Sequence, residues 1–384
     1  MNDYIERLRN NDSNFVEFDI KEKKINYTEI IMFIEALKDN KFLQRLNLRH
    51  TIDSNKLMVL YKSLKINTTL LQLDISWTWN NVRYDKKILF GKIIGDNNSL
   101  LQLDISGNNI NNDTIIIIGE ALKINNTLQQ LIISNNDIDN DGIIIICEAL
   151  KINTTLQKLD ISYNMVGNNG MNAISNMLEI NKYLQELNLS NNYSYDDGII
   201  KLCKFLKINN TLKKLDISEN NIDDNQVIIL SEALKINKSL SKFNISNNDI
   251  GDNGVIALSE VIKINNTLQQ LYLQNNNISL GGIITLCKAL KFNNSVKKIN
   301  IHNNKQYDFN GEIYHNEISR TDSILQMVTI HNNWTNIVKE KIIEALENNY
   351  TLEKLVGIDV GDFLSEENRQ IRKRFLTTKS TKKR

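Results

Sequence analysis

Residues 128–155, LQQLIISNNDIDNDGIIIICEALKINTT, hold two different hydropathy periods within 28 residues. In L-x-x-L-x-I the apolar residues Leu128, Leu131 and Ile133 end on an alternation of period two, the pattern of a short strand with one buried face. Further on, Ile143, Ile146, Ala149 and Leu150 are spaced to form one apolar stripe along a helix. The run Asn-Asn-Asp-Ile-Asp-Asn-Asp-Gly between them is turn chemistry. One such stretch therefore reads as strand, loop, helix, loop.

The same phrase recurs. Aligned on the pattern L-x-x-L-x-[LI]-S-x-N, units start at Leu100, Leu128, Leu156, Leu184, Leu212, Leu240, Leu268 and Val296, each 28 residues after the last. Looser units start at Phe15, Leu43 and Leu70 on one side, and at Leu325 and Leu352 on the other. Repetition at such a period is the mark of stacked units sharing one core. Parallel strands stack about 4.8 Å apart, whereas packed helices need about 8–10 Å. Stacking therefore implies an α/β solenoid that curves, a right-handed horseshoe with parallel strands on its concave face and helices on its convex face.

The 28-residue period, the helical half and the A-L-K-x-N-x-T-L junction resemble ribonuclease-inhibitor-type leucine-rich repeats. Similar units occur in the repeat regions of NOD-like receptors and in the Ran GTPase-activating protein. The resemblance runs through residues 15–358, nearly the whole chain. It implies a binding scaffold or inhibitor with another protein as partner. It also implies that the asparagines at the ninth place, Asn108, Asn136, Asn164, Asn192, Asn220, Asn248, Asn276 and Asn304, form an internal ladder. An amide carries two donors and an acceptor, which suits that role.

The ends and the composition complete the division. Residues 1–14 read as a leader and 15–42 as a degenerate first repeat, with Phe15, Phe18 and Ile20 in place of leucines. Residues 359–376 are expected to form a capping helix starting near Ser365, and 377–384 a basic disordered tail. Residues 369–384 hold eight Lys/Arg and no Asp/Glu, which leaves the rest with 38 basic against 45 acidic residues. A mildly acidic body gives nucleic acid no electrostatic footprint. With neither a secretory leader nor a spanning segment in the sequence, the expected location is cytoplasmic, and the partner is not a membrane. Arg372-Lys-Arg374 and Lys382-Lys-Arg384 resemble a nuclear-targeting signal. A monomer is expected.

No phosphate-cradling glycine motif, nucleophile elbow, H-E-x-x-H or catalytic Cys–His signature occurs. No catalytic, cofactor or metal residue is therefore assigned, and no cofactor is expected. The enzymatic alternative is GTPase activation of the Ran type, with Arg45 and Arg49 on the strand face near its start. Cys147, Cys203 and Cys287 share the twentieth place with Gly119, Ser175, Ser231 and Ser259, a restriction to small side chains that marks close helix contact.

Candidate partner-binding residues are those that depart from the repeat: Trp77, Trp79, Tyr163, Tyr272, His302, His331 and Trp334. Exposed aromatics anchor interfaces. Tyr193 and Tyr195 lie nearby in the same reading. His302 and His331 share the seventh place and are expected on neighbouring strands. The serines of that place, from Ser76 to Ser246, are expected to line the strand face, with Asp74, Asp104, Asp160, Asp216, Glu186 and Glu219 giving it a negative tint. Residues 70–99, with two extra residues, and 296–324, which lack the helix pattern, break the period.

Overall fold

The computed structural model describes residues 2–20, 26–78, 82–192, 196–290, 292–301, 304, 316–319 and 327–330. The chain divides into two compact units, Met1–Asn221 and Ile222–Arg384.

In the first unit each repeat supplies one three-residue strand. They are Glu17–Asp19 (β1), Arg45–Asn47 (β2), Gln72–Asp74 (β3), Gln102–Asp104 (β4), Gln130–Ile132 (β5), Lys158–Asp160 (β6), Glu186–Asn188 (β7) and Lys214–Asp216 (β8). Each pairs with the next in parallel. The third place of one repeat meets the third place of the next even where repeat length changes, as at Arg45↔Gln72 and Gln72↔Gln102. The extra residues of 70–99 are thus absorbed outside the strands. The helices are Asn2–Arg9 (α1), Tyr27–Ala36 (α2), Ser54–Leu64 (α3), Ile88–Asp96 (α4), Asn112–Ile124 (α5), Asn140–Leu150 (α6), Asn168–Ile180 (α7) and Asp196–Ile208 (α8). Leu128, Leu131 and Ile133 from the strand, and Ile143, Ile146, Ala149 and Leu150 from the helix, are all buried.

The segment expected to be a leader is instead the first structural element. Ile5 and Leu8 of α1 are buried, and Tyr4 packs its ring against Phe15 and Phe18. Asn40 donates from Nδ2 to the carbonyl of Leu8 at 3.0 Å, the bond its counterparts make to a preceding repeat's helix. Helix α1 therefore stands where a preceding helix would, and covers apolar surface that the first strand repeat would expose. Its eight residues are too few for a period to show in sequence.

The second unit begins with Asp224–Ile236 (α9), Lys242–Asn244 (β9), Asp252–Ile264 (α10), Gln270–Tyr272 (β10), Leu280–Leu290 (α11) and Lys298–Asn300 (β11). Strands β9, β10 and β11 are parallel. After them the direction reverses. Asn316–Ser319 (β12) runs antiparallel to β11, and Met327–Ile330 (β13) antiparallel to β12. The expected array of parallel repeats is therefore interrupted here. The strand of the unit starting at Leu325 forms, but β12 lies between it and β11. Parallel neighbours need a crossover of a dozen or more residues, usually a helix. Residues 320–326 are too few, and 301–315 lack the helix pattern. The expected units from Leu325 to 358, the capping helix 359–376 and the tail 377–384 fall outside the described residues, apart from β13.

Adjacent turns are joined by two rows of asparagines. The ninth-place row is that expected from the resemblance. Asn164 donates from Nδ2 to the carbonyl of Ile161 in its own repeat and to that of Ile133 in the preceding one, and its Oδ1 accepts from the N–H of Ile138. Asn108, Asn136, Asn192, Asn276 and Asn304 repeat the arrangement. Thr78 holds the ninth place one repeat before Asn108 and donates to its Oδ1 from both N–H and hydroxyl.

The second row lies where each helix gives way to the next strand: Asn40, Asn67, Asn97, Asn125, Asn153, Asn181 and Asn209 in the first unit, and Asn237, Asn265 and Asn293 in the second, all buried. Asn153 donates to the carbonyls of Leu122 and Asn125 in the preceding turn, at 2.8 and 3.1 Å. Its Oδ1 accepts from the N–H groups of Thr155 and Leu156. Each carboxamide thus satisfies buried backbone groups that have no strand or helix partner.

The small twentieth place has a geometric cause. A Cβ on Gly119 would stand 2.6 Å from Cγ2 of Ile145 on the next helix. Cys147, Cys203 and Cys287 are buried there. Burial raises all three thiols, those of Cys203 and Cys287 to about 12.

Removing one carboxamide from either row strands several buried backbone groups, each worth about 1–3 kcal/mol when left unpaired. Asn153→Ala and Asn192→Ala are each expected to lower unfolding free energy by about 2–4 kcal/mol in denaturant titration. Losses below about 0.5 kcal/mol would show that the rows do not hold the turns together.

Candidate binding surface

Along each strand the fourth and sixth places point inward, and the third and fifth point out. The first unit's outward residues carry mixed charge. Arg45 donates to Glu17 from Nη2 and Nε at 2.6 and 3.1 Å. Glu186 stands between Lys214 at 2.8 Å and Lys158 at 3.4 Å. Burial pushes the Glu186 carboxyl up, but the hydrogen bond to Lys214 and the two ammonium charges outweigh it, and the group sits below its ordinary range. Across β1–β5 the outward residues line an open trough that includes Asp19, Asn47, Asp74, Asp104 and Ile132.

The seventh-place serines were expected to be solvated. Ser76, Ser106, Ser162, Ser190, Ser218 and Ser246 are instead buried. Ser106 donates to Asp104 Oδ1 from its hydroxyl at 2.7 Å and from its N–H at 2.9 Å. Ser76, Ser162 and Ser218 do the same to Asp74, Asp160 and Asp216, and Ser246 to Asn244. The chain turns immediately after the strand, so alternation no longer sets where these side chains point. One oxygen of each aspartate is occupied by this hook. Burial is the largest influence on Asp104, raising its pKa, and the Asp74 and Asp160 carboxylates add to it.

One residue further, the eighth place is left-handed: Asn135, Asn191, Asn247 and Asn275 have φ of 48–54° there, and Gly107 has 62°. Asparagine and glycine tolerate this region best. Four repeats put something else in it: His50 (φ 64°), Trp77 (58°), Tyr163 (53°) and Glu219 (57°). The N–H of Trp77 is fixed by the carbonyl of Ser106 at 2.7 Å. Its half-buried ring lies on Gly107, where a Cβ would come within 2.7 Å of the ring. The Arg49 guanidinium stands 5.4 Å from the ring centroid. His50 packs beside it at 6.3 Å and meets the Trp77 carbonyl through Nδ1 at 3.0 Å.

The other candidates are distributed as follows. Tyr163 is 45% exposed and donates from its hydroxyl to Glu219 at 3.0 Å, while Asn191 donates to the same carboxylate at 2.9 Å. In the second unit the half-buried Tyr272 ring has the ammonium groups of Lys242 and Lys298 at 5.0 and 5.1 Å, and its hydroxyl donates to Gln270. Within the first unit Trp77 and Tyr163 are thus held by separate sets of partners. Trp79, Tyr193, Tyr195, His302, His331 and Trp334 lie outside the described residues. The strands that precede His302 and His331 in sequence, β11 and β13, are not neighbours, since β12 lies between them. Among the described residues no group of three or more His, Cys, Asp and Glu could hold a metal, and no helix is long and apolar enough to cross a membrane.

The hook at Asp104 needs an oxygen acceptor but not a charge, since Asn244 supplies the same bonds. An aspartate whose pKa is raised on folding loses stability as pH rises through that raised value. Asp104→Asn is therefore expected to keep the hook and to leave stability at pH 7 unchanged or increased, with a flatter pH dependence above pH 4 in thermal melts. A clear loss of stability at pH 7 would show that the carboxylate charge is itself required.

The Leucine Rich repeat family model matches residues 125–147, 153–175, 209–225, 237–259 and 265–287, and every match begins on an asparagine of the second row. No curated protein matches the sequence. Among solved structures, a leucine-rich-repeat-containing protein of Legionella pneumophila is 17% identical, over 86% of this chain and 98% of its own, with a TM-score of 0.49. The tropomodulin C-terminal domain of Caenorhabditis elegans is 19% identical over 40% of this chain and 92% of its own, with a TM-score of 0.35. Leiomodin-1 actin-binding site 2 is 17% identical over 54% of this chain and 87% of its own, with a TM-score of 0.26. With the family model in register at five repeats, and the same strand, hook and asparagine bonds in the repeats around them, the chain is a leucine-rich-repeat protein.

Proposed function

We propose that this chain is a non-enzymatic scaffold or inhibitor that receives a protein partner on the strand face of its first unit, centred on Trp77. The observation that carries this reading is the backbone of Trp77. A bulky residue in left-handed conformation costs about 1–2 kcal/mol, and five other repeats fill the same place with asparagine or glycine. Strain of this kind points to function when packing holds it in place. Here Gly107 makes room for the ring, and the Ser106 carbonyl fixes the strained N–H. The result is a half-exposed indole beside a guanidinium and an imidazole, a composition typical of interface hot spots. Rigid stacking means little further ordering is needed on binding.

The enzymatic alternative finds no support in the arginines it would use. Arg45 is paired with Glu17, and Arg49 lies over Trp77. The nuclear-adaptor alternative rests on the basic tail, which lies outside the described residues.

Trp77→Asn separates strain from binding. Relief of the left-handed backbone offsets the packing lost from the half-buried ring, so stability is expected to change by less than about 1 kcal/mol. Affinity capture from the native cell is expected to recover a partner with wild-type chain and to lose it with Trp77→Asn. Equal capture by both would remove Trp77 from the site.

A further inference from the structure

The edge where helices end holds an apolar row that the strand-face reading does not use. In the first unit the residue before the four successive second-row asparagines Asn125, Asn153, Asn181 and Asn209 is Ile124, Ile152, Ile180 or Ile208, with exposures of 73, 59, 55 and 60%. Ile66 holds the same place before Asn67 at 61%, but Asp96 before Asn97 separates it from the row. Tyr183, which stands where Thr127, Thr155 and Thr211 stand in other repeats, adds an exposed ring beside Ile180. The second unit carries Ile236, Ile264 and Phe292 at the same place, also exposed.

These side chains are held at one pitch. Asn153 and Asn181 donate to the carbonyls of Asn125 and Asn153 at 3.1 and 3.2 Å, so the backbone next to each isoleucine is tied to that of the adjacent turn. Lysine and asparagine fill most other exposed places in these turns, so the isoleucines are a departure from the surface around them. Each exposes on the order of 100 Å² of apolar surface. The row from Ile124 to Ile208 with Tyr183 therefore presents about 500 Å², at the upper end of what a soluble monomer leaves uncovered.

The surrounding charge narrows the occupant. Lys123 and Lys151, each preceding an isoleucine, are paired with Glu120 and Glu148 at 2.6 and 2.5 Å. Lys65 is paired with Asp96 at 3.4 Å, and the residue before Ile180 is Glu179. Apart from Lys204 and Lys207 at its Ile208 end, the row is bordered by paired charges, where an anionic membrane would call for free cations along its length. The surface guaranteed to match a periodic row in pitch is the same row, turned about a two-fold axis. Such an interface is self-complementary, and the exposed area approaches the roughly 800 Å² per partner of a standard one.

We propose that the isoleucine edge of the first unit, Ile124–Ile208 with Tyr183, docks against the same edge of a second copy of this chain. The interface leaves the Trp77 face out of the contact and departs from the monomer expected from sequence.

Light scattering coupled to gel filtration tests this on the full chain. Wild type is expected to show twice the chain mass at high concentration, falling to the chain mass on dilution. Ile152→Lys/Ile180→Lys is expected to lose the dimer while keeping the wild-type circular dichroism spectrum, and Trp77→Ala to retain it. Tyr183→Glu, a change at an exposed ring, is expected to weaken the dimer at least tenfold and provides a second reading if the double variant does not fold. A wild type that stays monomeric, or a dimer that survives the lysine and glutamate variants, would overturn the proposal. Sedimentation of a monomeric wild type with phosphatidylserine vesicles would overturn it in favour of a lipid surface.

Discussion

The asparagine carboxamide is the interaction on which this structure depends. Three-residue strands leave most backbone polar groups of each turn without a ladder partner, and buried groups of that kind must be satisfied. Asn164 and Asn153 show how it is done, at two corners of the turn. Each side chain donates to carbonyls on two successive turns or their junction and accepts from N–H groups beside them. The donors and acceptor of one planar amide fix both the shape of a turn and its distance from the previous one. Leucine and isoleucine then fill the space so defined.

That frame also decides what the surface can carry. Because the ninth place is fixed inside, the chain must pass through a left-handed residue at the eighth and bury the serine at the seventh. The Asp–Ser hook engages one carboxylate oxygen of each aspartate and so fixes the orientation of the charge on the wall. Where the eighth place holds asparagine, the geometry is relaxed. With Trp77, Tyr163 or Glu219 there, the same geometry lifts a large or charged side chain at the edge of the strand face. The repeat thus supplies a series of equivalent pedestals, and the first unit occupies several with side chains that its backbone does not favour.

Much of this was legible in the sequence. The strands, helices, core leucines and ninth-place asparagines follow from a 28-residue period that many units share. What escaped did so for physical reasons. The second asparagine row is equally periodic, but in a chain so rich in asparagine only a row with an assigned role stood out. The serines were misplaced because strand alternation was carried one residue past the point where the chain turns. Helix α1 is too short for a hydrophobic period, and its partner bond from Asn40 spans 32 residues. The reversal at β12 goes with the loss of the helix pattern that the sequence showed, although its consequence for strand direction was not drawn. The Trp77 site was visible only as an irregularity, since backbone conformation and the Gly107 approach have no sequence period. The exposed isoleucines drew no notice because hydropathy alone does not tell an apolar residue at or just past a helix end from its buried neighbours.

The central functional claim is that the strand face of the first unit, around Trp77, meets the partner. Hydrogen exchange of the full chain with and without the captured partner tests it most directly. Slowed exchange concentrated in residues 45–50, 74–78 and 104–108 is the expected result. Protection confined to the helices or to the second unit, with those three segments unchanged, would contradict it.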